Sequence, residues 1–145
     1  MADNFDQALG FVIHDVARML RWEFDRRAQT IGLTRSQWFV LAFLRREDGV
    51  QQQRLAELMD LTPITMTGLL DRLERDGWVE RQPDPGDRRA KRIFLTKKVL
   101  PVMKKIAATG KEVRKVAVAG LSEAEQENLI SLLLRVRTNL STKPV

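Results

Sequence analysis

The stretch from Trp78 to Thr96 constrains the fold most, because it breaks a helical pattern that runs through nearly all the rest of the chain. Asp84-Pro85-Gly86-Asp87 concentrates turn-forming residues. After it, Ile93 and Leu95 alternate with Arg92, Phe94 and Thr96, as the two faces of a strand do. The segment therefore predicts two short strands joined at a turn. Residues 81–98 also hold seven Lys/Arg against two Asp, a local net of +5 set against +6 for the whole chain. Charge gathered on one hairpin is how a protein presents itself to a polyanion. The bland alternative is a solvated turn that happens to be basic.

The helical segments are bounded by recognisable start and stop residues. From Phe5 to Thr30, Leu9, Val12, Ile13, Val16, Met19, Leu20 and Phe24 recur at three- and four-residue steps, and Gly32 ends the run. Thr34-Arg35-Ser36-Gln37 reads as a capping box opening a helix with Trp38, Leu41, Ala42 and Leu44 inward, ending near Asp48-Gly49. A short helix is expected over Gln51 to Met59, then a tight turn at Asp60-Leu61. Thr62-Pro63 starts the next helix, with Met66, Leu69, Leu70 and Leu73 buried and Gly77 as its stop. Past the hairpin, Thr96 is expected to cap a long helix to about Ala119; Pro101 falls early in it, at a place for a kink. Gly120 breaks that pattern, and Ser122-Glu123-Ala124-Glu125 caps a last helix carrying Leu129, Ile130, Leu132, Leu133, Val136 and Leu140. Residues 141–145 are expected to fray.

Short helix, tight turn, helix and then a basic hairpin is the pattern of a winged helix-turn-helix. The helix from Pro63 offers an exposed N-terminal half of small or slim residues: Pro63, Ile64, Thr65, Thr67 and Gly68. Such a surface enters a major groove without clashing, and its backbone N–H groups suit a phosphate. Arg72 and Arg75 lie further along, where phosphates would be. Arg88, Arg89 and Lys91 sit at or beside the hairpin tip, and a projecting arginine fits a narrow minor groove. Asp87 is expected to fix an arginine's direction. The terminal helices carry apolar stripes that the small central lobe cannot cover, which points to an interface between two copies. A two-fold dimer sets its recognition helices ~34 Å apart and reads a pseudo-palindromic site.

The string Asp87-x-Arg89-x-x-x-Ile93-x-Leu95-Thr96, preceded by Leu70-Asp71-Arg72-Leu73-Glu74-x-x-Gly77-x-Val79-x-Arg81, resembles the MarR family of bacterial transcriptional regulators, most of all its SlyA branch. The resemblance covers nearly the whole chain. It implies a mainly α fold with a small β-hairpin, in which a winged helix-turn-helix is joined to a helical dimerisation module. Residues 1–145 then form a single domain, with dimerisation helices at 4–33 and 97–141 and a DNA-binding lobe at 34–96. The helix from Pro63 reads the major groove of double-stranded DNA, and Arg89, with Arg88 beside it, the minor groove. Many relatives carry a basic residue where Gly68 stands. The resemblance also implies a homodimer, a repressor's role, and a small aromatic or phenolic anion bound near Arg18, Trp22, Thr34 and Trp38.

Other function classes find little support. With no cysteine there are no disulfides, thiolate metal sites or cysteine-based oxidation sensors. No metal-ligand cluster, P-loop or catalytic triad is legible, so no cofactor, no metal and no enzyme activity is expected. His14, the only histidine, reads more readily as a packed or surface residue than as a ligand. No apolar run reaches the ~18 residues of a membrane span, and residues 1–5 lack the basic and apolar regions of a secretory leader, which makes a cytoplasmic protein with no membrane partner the default. The competing class is a module that uses its winged-helix surface on another protein or an RNA.

Overall fold

The computed structural model describes residues 2–141, and the chain divides after Gly110 into two compact units. In the first unit, helix α1 (Ala2–Arg27) tightens into a single 3-10 turn, Ala28–Ile31, closed by Gly32 in the left-handed conformation at φ 78°. Of the apolar stripe expected along α1, only Phe24 is buried; its ring lies 4.0 Å from that of Trp38. Leu9, Val12, Ile13, Val16, Met19 and Leu20 are exposed.

Helix α2 (Arg35–Arg46) begins at the expected capping box: Thr34 Oγ1 accepts from Gln37 N at 3.3 Å, and Gln37 Oε1 accepts from Thr34 N at 3.0 Å. Helices α3 (Gln52–Leu58) and α4 (Pro63–Arg75) follow, with the turn between them closed by Leu61 N–H to Ala56 O at 2.9 Å. Thr62 caps α4, and Pro63 takes the first helical position, where its missing N–H costs nothing. Leu41, Leu44, Leu55, Met66, Leu70 and Leu73 are fully buried and form the core of this unit. Burying each is worth about 1.5–3 kcal/mol. Leu69 is only half-buried, contrary to expectation, because Met66, Leu70 and Leu73 occupy the inward positions around it.

The sheet has three antiparallel strands rather than the expected two. Strands β1 (Val50–Gln51), β2 (Val79–Asp84) and β3 (Asp87–Leu95) lie in the order β1-β3-β2. Val50 pairs with Ile93 and Gln51 with Arg92, so Gln51 belongs to a strand and not to α3. Strands β2 and β3 form the expected hairpin, with Val79 opposite Leu95 and Asp84 opposite Asp87 across Pro85-Gly86. Ile93 and Val79 point into the core.

Thr96 does not cap the following helix. Its hydroxyl donates to Gly77 O at 2.5 Å and ties the end of the hairpin to its beginning. A 3-10 turn, Lys97–Val99, leads into α5 (Leu100–Ala117). Pro101 is the second residue of α5, too early to remove an intrahelical hydrogen bond, so the reason for a kink disappears.

In the second unit, α6 (Glu123–Ser141) starts at the expected box: Glu125 N donates to Ser122 Oγ at 3.1 Å and Ser122 N to Glu125 Oε1 at 3.0 Å. No residue of α6 is buried, and Leu129, Ile130, Leu132, Leu133 and Leu140 are exposed. Ser141 ends α6, and the rest of the expected frayed tail, 142–145, lies outside the described residues. Among the described residues, no helix is long and apolar enough to cross a membrane, and no cluster of His, Asp or Glu is grouped to hold a metal ion.

Candidate nucleic-acid interface

Helix α4 presents its outer side to solvent from end to end. Pro63, Ile64, Thr65, Thr67, Gly68 and Arg72 are all exposed, and one row at four-residue steps runs Ile64, Gly68, Arg72. The polar groups of the first turn are largely spoken for. Thr62 Oγ1 accepts from Thr65 N at 3.2 Å and donates to Thr65 Oγ1 at 2.9 Å. The Thr67 hydroxyl donates to Pro63 O at 2.9 Å and accepts from Gln52 Nε2 at 3.1 Å.

Two concavities flank this helix. A cleft of about 530 Å³ is lined by Gln52, Gln53 and Pro63 on one wall and Asp87, Arg89 and Lys91 on the other. It brings the start of α4 and the wing to one space. A smaller groove of about 320 Å³ is lined by Ile64, Thr65, Gly68 and Arg72, together with Thr34 and Ser36. Gln52 and Gln53 were not singled out from the sequence. Two amides opening the first helix of a helix-turn-helix are the signal that could have found them.

The electrostatics of this face are one-sided. Arg72, Arg88, Arg89 and Lys91 are exposed, and among the described residues none of them has an acidic partner within 4.0 Å. Asp87 takes hold of Arg89 through the backbone, accepting its N–H at 2.9 Å, rather than through the guanidinium. The carboxylate that orients an arginine side chain is Asp84. Its side chain is 4% exposed, and it accepts from Arg92 Nε at 3.0 Å, Gln51 Nε2 at 2.7 Å and Gly86 N at 2.8 Å. The Gln51 amide, then the Gly86 N–H and the Arg92 charge hold this carboxyl below the usual carboxylate range. Arg92 also donates to Gly49 O at 2.9 Å. Asp84 thereby fastens the base of the hairpin tip to all three strands.

A second cluster fixes α4 against the sheet. Arg81 on β2 reaches Asp71 Oδ1 at 2.5 Å and Glu74 Oε1 at 3.1 Å, while its own N–H donates to Glu74 Oε2 at 2.8 Å. The Arg81 side chain is only 20% exposed, so these contacts are partly shielded from water. The hydrogen bonds from Arg81 lower the Glu74 pKa below its ordinary value. Helix and wing are held in one geometry by charge as well as by packing.

The residues expected around a small ligand are placed differently from one another. Trp38 is in the core against Phe24, whereas Trp22 is 58% exposed with the Arg26 guanidinium 5.4 Å from its ring centre. Arg18 is exposed and lies 3.6 Å from Asp15. The Thr34 hydroxyl is committed to its helix cap, and Thr34 lines the α4 groove. Neither concavity beside α4 is lined by Arg18, Trp22 or Trp38.

Two helices packed at a tight turn, followed by the basic hairpin of a three-stranded sheet, define a winged helix-turn-helix. Residues 33–91 match the pattern of the MarR family. The chain is similar to the solved transcriptional regulator PA3341, at 36% identity over 93% of this chain and 99% of that one, with a TM-score of 0.82. It is similar to the transcriptional regulator SlyA at 32% identity over 92% and 94% of the two chains, with a TM-score of 0.76. A mutant MarR from E. coli complexed with operator DNA matches at 26% identity over 92% and 96%, with a TM-score of 0.74. The chain belongs to the MarR family of transcriptional regulators, and its fold is that of regulators and not of enzymes.

Proposed function

We propose that the protein is a homodimeric repressor that binds a pseudo-palindromic site on double-stranded DNA and is released from it by a small aromatic anion. The observation that carries the DNA-binding reading is the group of unpaired, exposed cations, Arg72, Arg88, Arg89 and Lys91, around the open face of α4. Unpaired cations break no internal ion pair on meeting a phosphate, and by neutralising it they release the counterions condensed on the DNA. Residues 34–96 form the DNA-binding lobe. Pro63, Ile64, Thr65, Thr67 and Gly68 face the major groove, Arg72 reaches phosphate, and Arg89 with Arg88 enters the minor groove while Asp87 shapes the turn behind it. A relative of the same fold was solved with operator DNA, which supports this arrangement.

Residues 4–33 and 97–141 supply the dimerisation helices. Exposed apolar side chains along α1 and along α6, each a continuous stripe, support self-association, because a soluble chain rarely leaves such faces open. An aromatic or phenolic anion is held near Arg18, Trp22, Thr34 and Trp38. It acts by binding preferentially to a conformer whose two α4 helices are misplaced for one DNA face.

The test is an Arg89→Ala variant that folds normally, compared with wild type on a duplex that the protein selects from a random pool. Affinity should fall, and the slope of log K against log salt should shrink by about one unit, because one cation fewer displaces counterions from the DNA. Unchanged affinity and slope would remove the wing from the interface. Salt-insensitive association with a protein or an RNA, with no duplex affinity, would replace the whole reading by the competing one.

A further inference from the structure

Ile64 is 86% exposed, the highest value for any large apolar side chain among the described residues. The other exposed apolar side chains sit on α1, α5 and α6 or on the turn before α6; within residues 34–96 Ile64 is alone. It stands in the first turn of α4, between Pro63 and Thr65, at the edge of the groove that also holds Gly68 and Arg72. Its neighbours leave little to read a base by hydrogen bonding. The Thr62 and Thr67 hydroxyls both donate and accept within the protein, Gly68 has no side chain, and the Thr65 hydroxyl, which accepts from Thr62, is left with a single donor. Arg72 lies eight residues further on, ~12 Å along the axis, which suits a phosphate better than the same base.

We infer that Ile64 sets sequence preference by packing on the 5-methyl group of a thymine in each half-site. This rests on the DNA-binding reading above and adds to it the identity of one base. Thymine is the only base whose major-groove edge carries a methyl group. The other edges offer donors and acceptors, and an isoleucine side chain laid over them strips their water and returns no hydrogen bond. The same side chain therefore attracts thymine and disfavours the alternatives.

The experiment starts from a duplex selected by the wild-type protein from a random pool. Each thymine is replaced in turn by deoxyuridine, which removes only the methyl group, and affinity is measured by fluorescence anisotropy for wild type and Ile64→Ala. Because Ile64 is exposed, the alanine variant should keep its fold, which circular dichroism checks. One thymine per half-site should be sensitive, with wild-type affinity falling about threefold to fourfold for the lost methyl, while Ile64→Ala binds both duplexes equally. Uridine tolerated at every position, or equal sensitivity in Ile64→Ala, would overturn the inference and leave DNA binding intact. Failure of the wild type to enrich any duplex would overturn both.

Discussion

Gly49, between α2 and β1, is the position where one added methyl group should cost most. Its φ of +80° lies in the left-handed region, where a side chain costs about 1–2 kcal/mol relative to glycine. A Cβ there would sit 2.7 Å from Phe94 Cε1 and 3.0 Å from Cζ, so the ring on β3 must move. Forcing a packed ring aside costs about 1–3 kcal/mol. The backbone cannot retreat freely, because Gly49 N donates to Ile93 O at 2.8 Å and Gly49 O accepts from Arg92 at 2.9 Å. Gly49→Ala should therefore destabilise the protein by about 2–5 kcal/mol. Gly68→Ala is the matched control. Gly68 is exposed within α4 and nothing lies within 4 Å of its added Cβ, so alanine should stabilise by about 0.5–1 kcal/mol through helix propensity. Urea unfolding followed by tryptophan fluorescence measures both, at one fixed protein concentration because self-association shifts the midpoint. With a slope of ~2 kcal/mol/M, Gly49→Ala should lower the midpoint by about 1–2.5 M. A Gly49→Ala midpoint equal to wild type, or a Gly68→Ala loss as large as that of Gly49→Ala, would refute this reasoning.

Two further outcomes follow from caps and charges. Thr34→Ala removes one half of the capping box on α2 and should cost about 1 kcal/mol in the same urea assay, with Thr34→Ser recovering most of it. Glu74 has a pKa below its ordinary 4.5 in the folded protein, so its contribution is present above that value and is lost as pH falls through the lower folded one. Glu74→Gln should therefore be less stable than wild type at about pH 7 and indistinguishable from it once the carboxyl of both folded and unfolded wild type is protonated. A difference that persists unchanged into acid would assign the effect to packing.

Where a structural choice depends on neighbours within about four residues, it is legible in the sequence. The boxes at Thr34 and Ser122 and the proline start of α4 are of this kind, since a cap satisfies donors one turn away. The turn at Pro85-Gly86 and the charge of the wing were equally plain. Partners far apart in sequence were not. Strand β1 is two residues long, too short to show a period, and exists because Val50 and Gln51 meet Ile93 and Arg92. Two aspartates flank the Pro-Gly turn, and spacing alone gives either of them an arginine. Burial of Asp84 beside Gln51 and Arg92 decides between them, leaving Asp87 with the Arg89 backbone. Thr96 is of the type that caps favour, but its hydroxyl donates to the Gly77 carbonyl at the start of the hairpin and accepts no N–H from the turn that follows.

The order of elements, the helix starts and the place of the basic wing thus follow from residue order, because backbone conformation and local capping are short-range. Which apolar stripes are buried, which carboxylate holds which arginine, and which hydroxyls on α4 are already committed follow only from the folded chain. Burial and charge pairing are properties of what lies opposite, and here an opposing residue can be 43 positions away, as with Arg92 on Gly49.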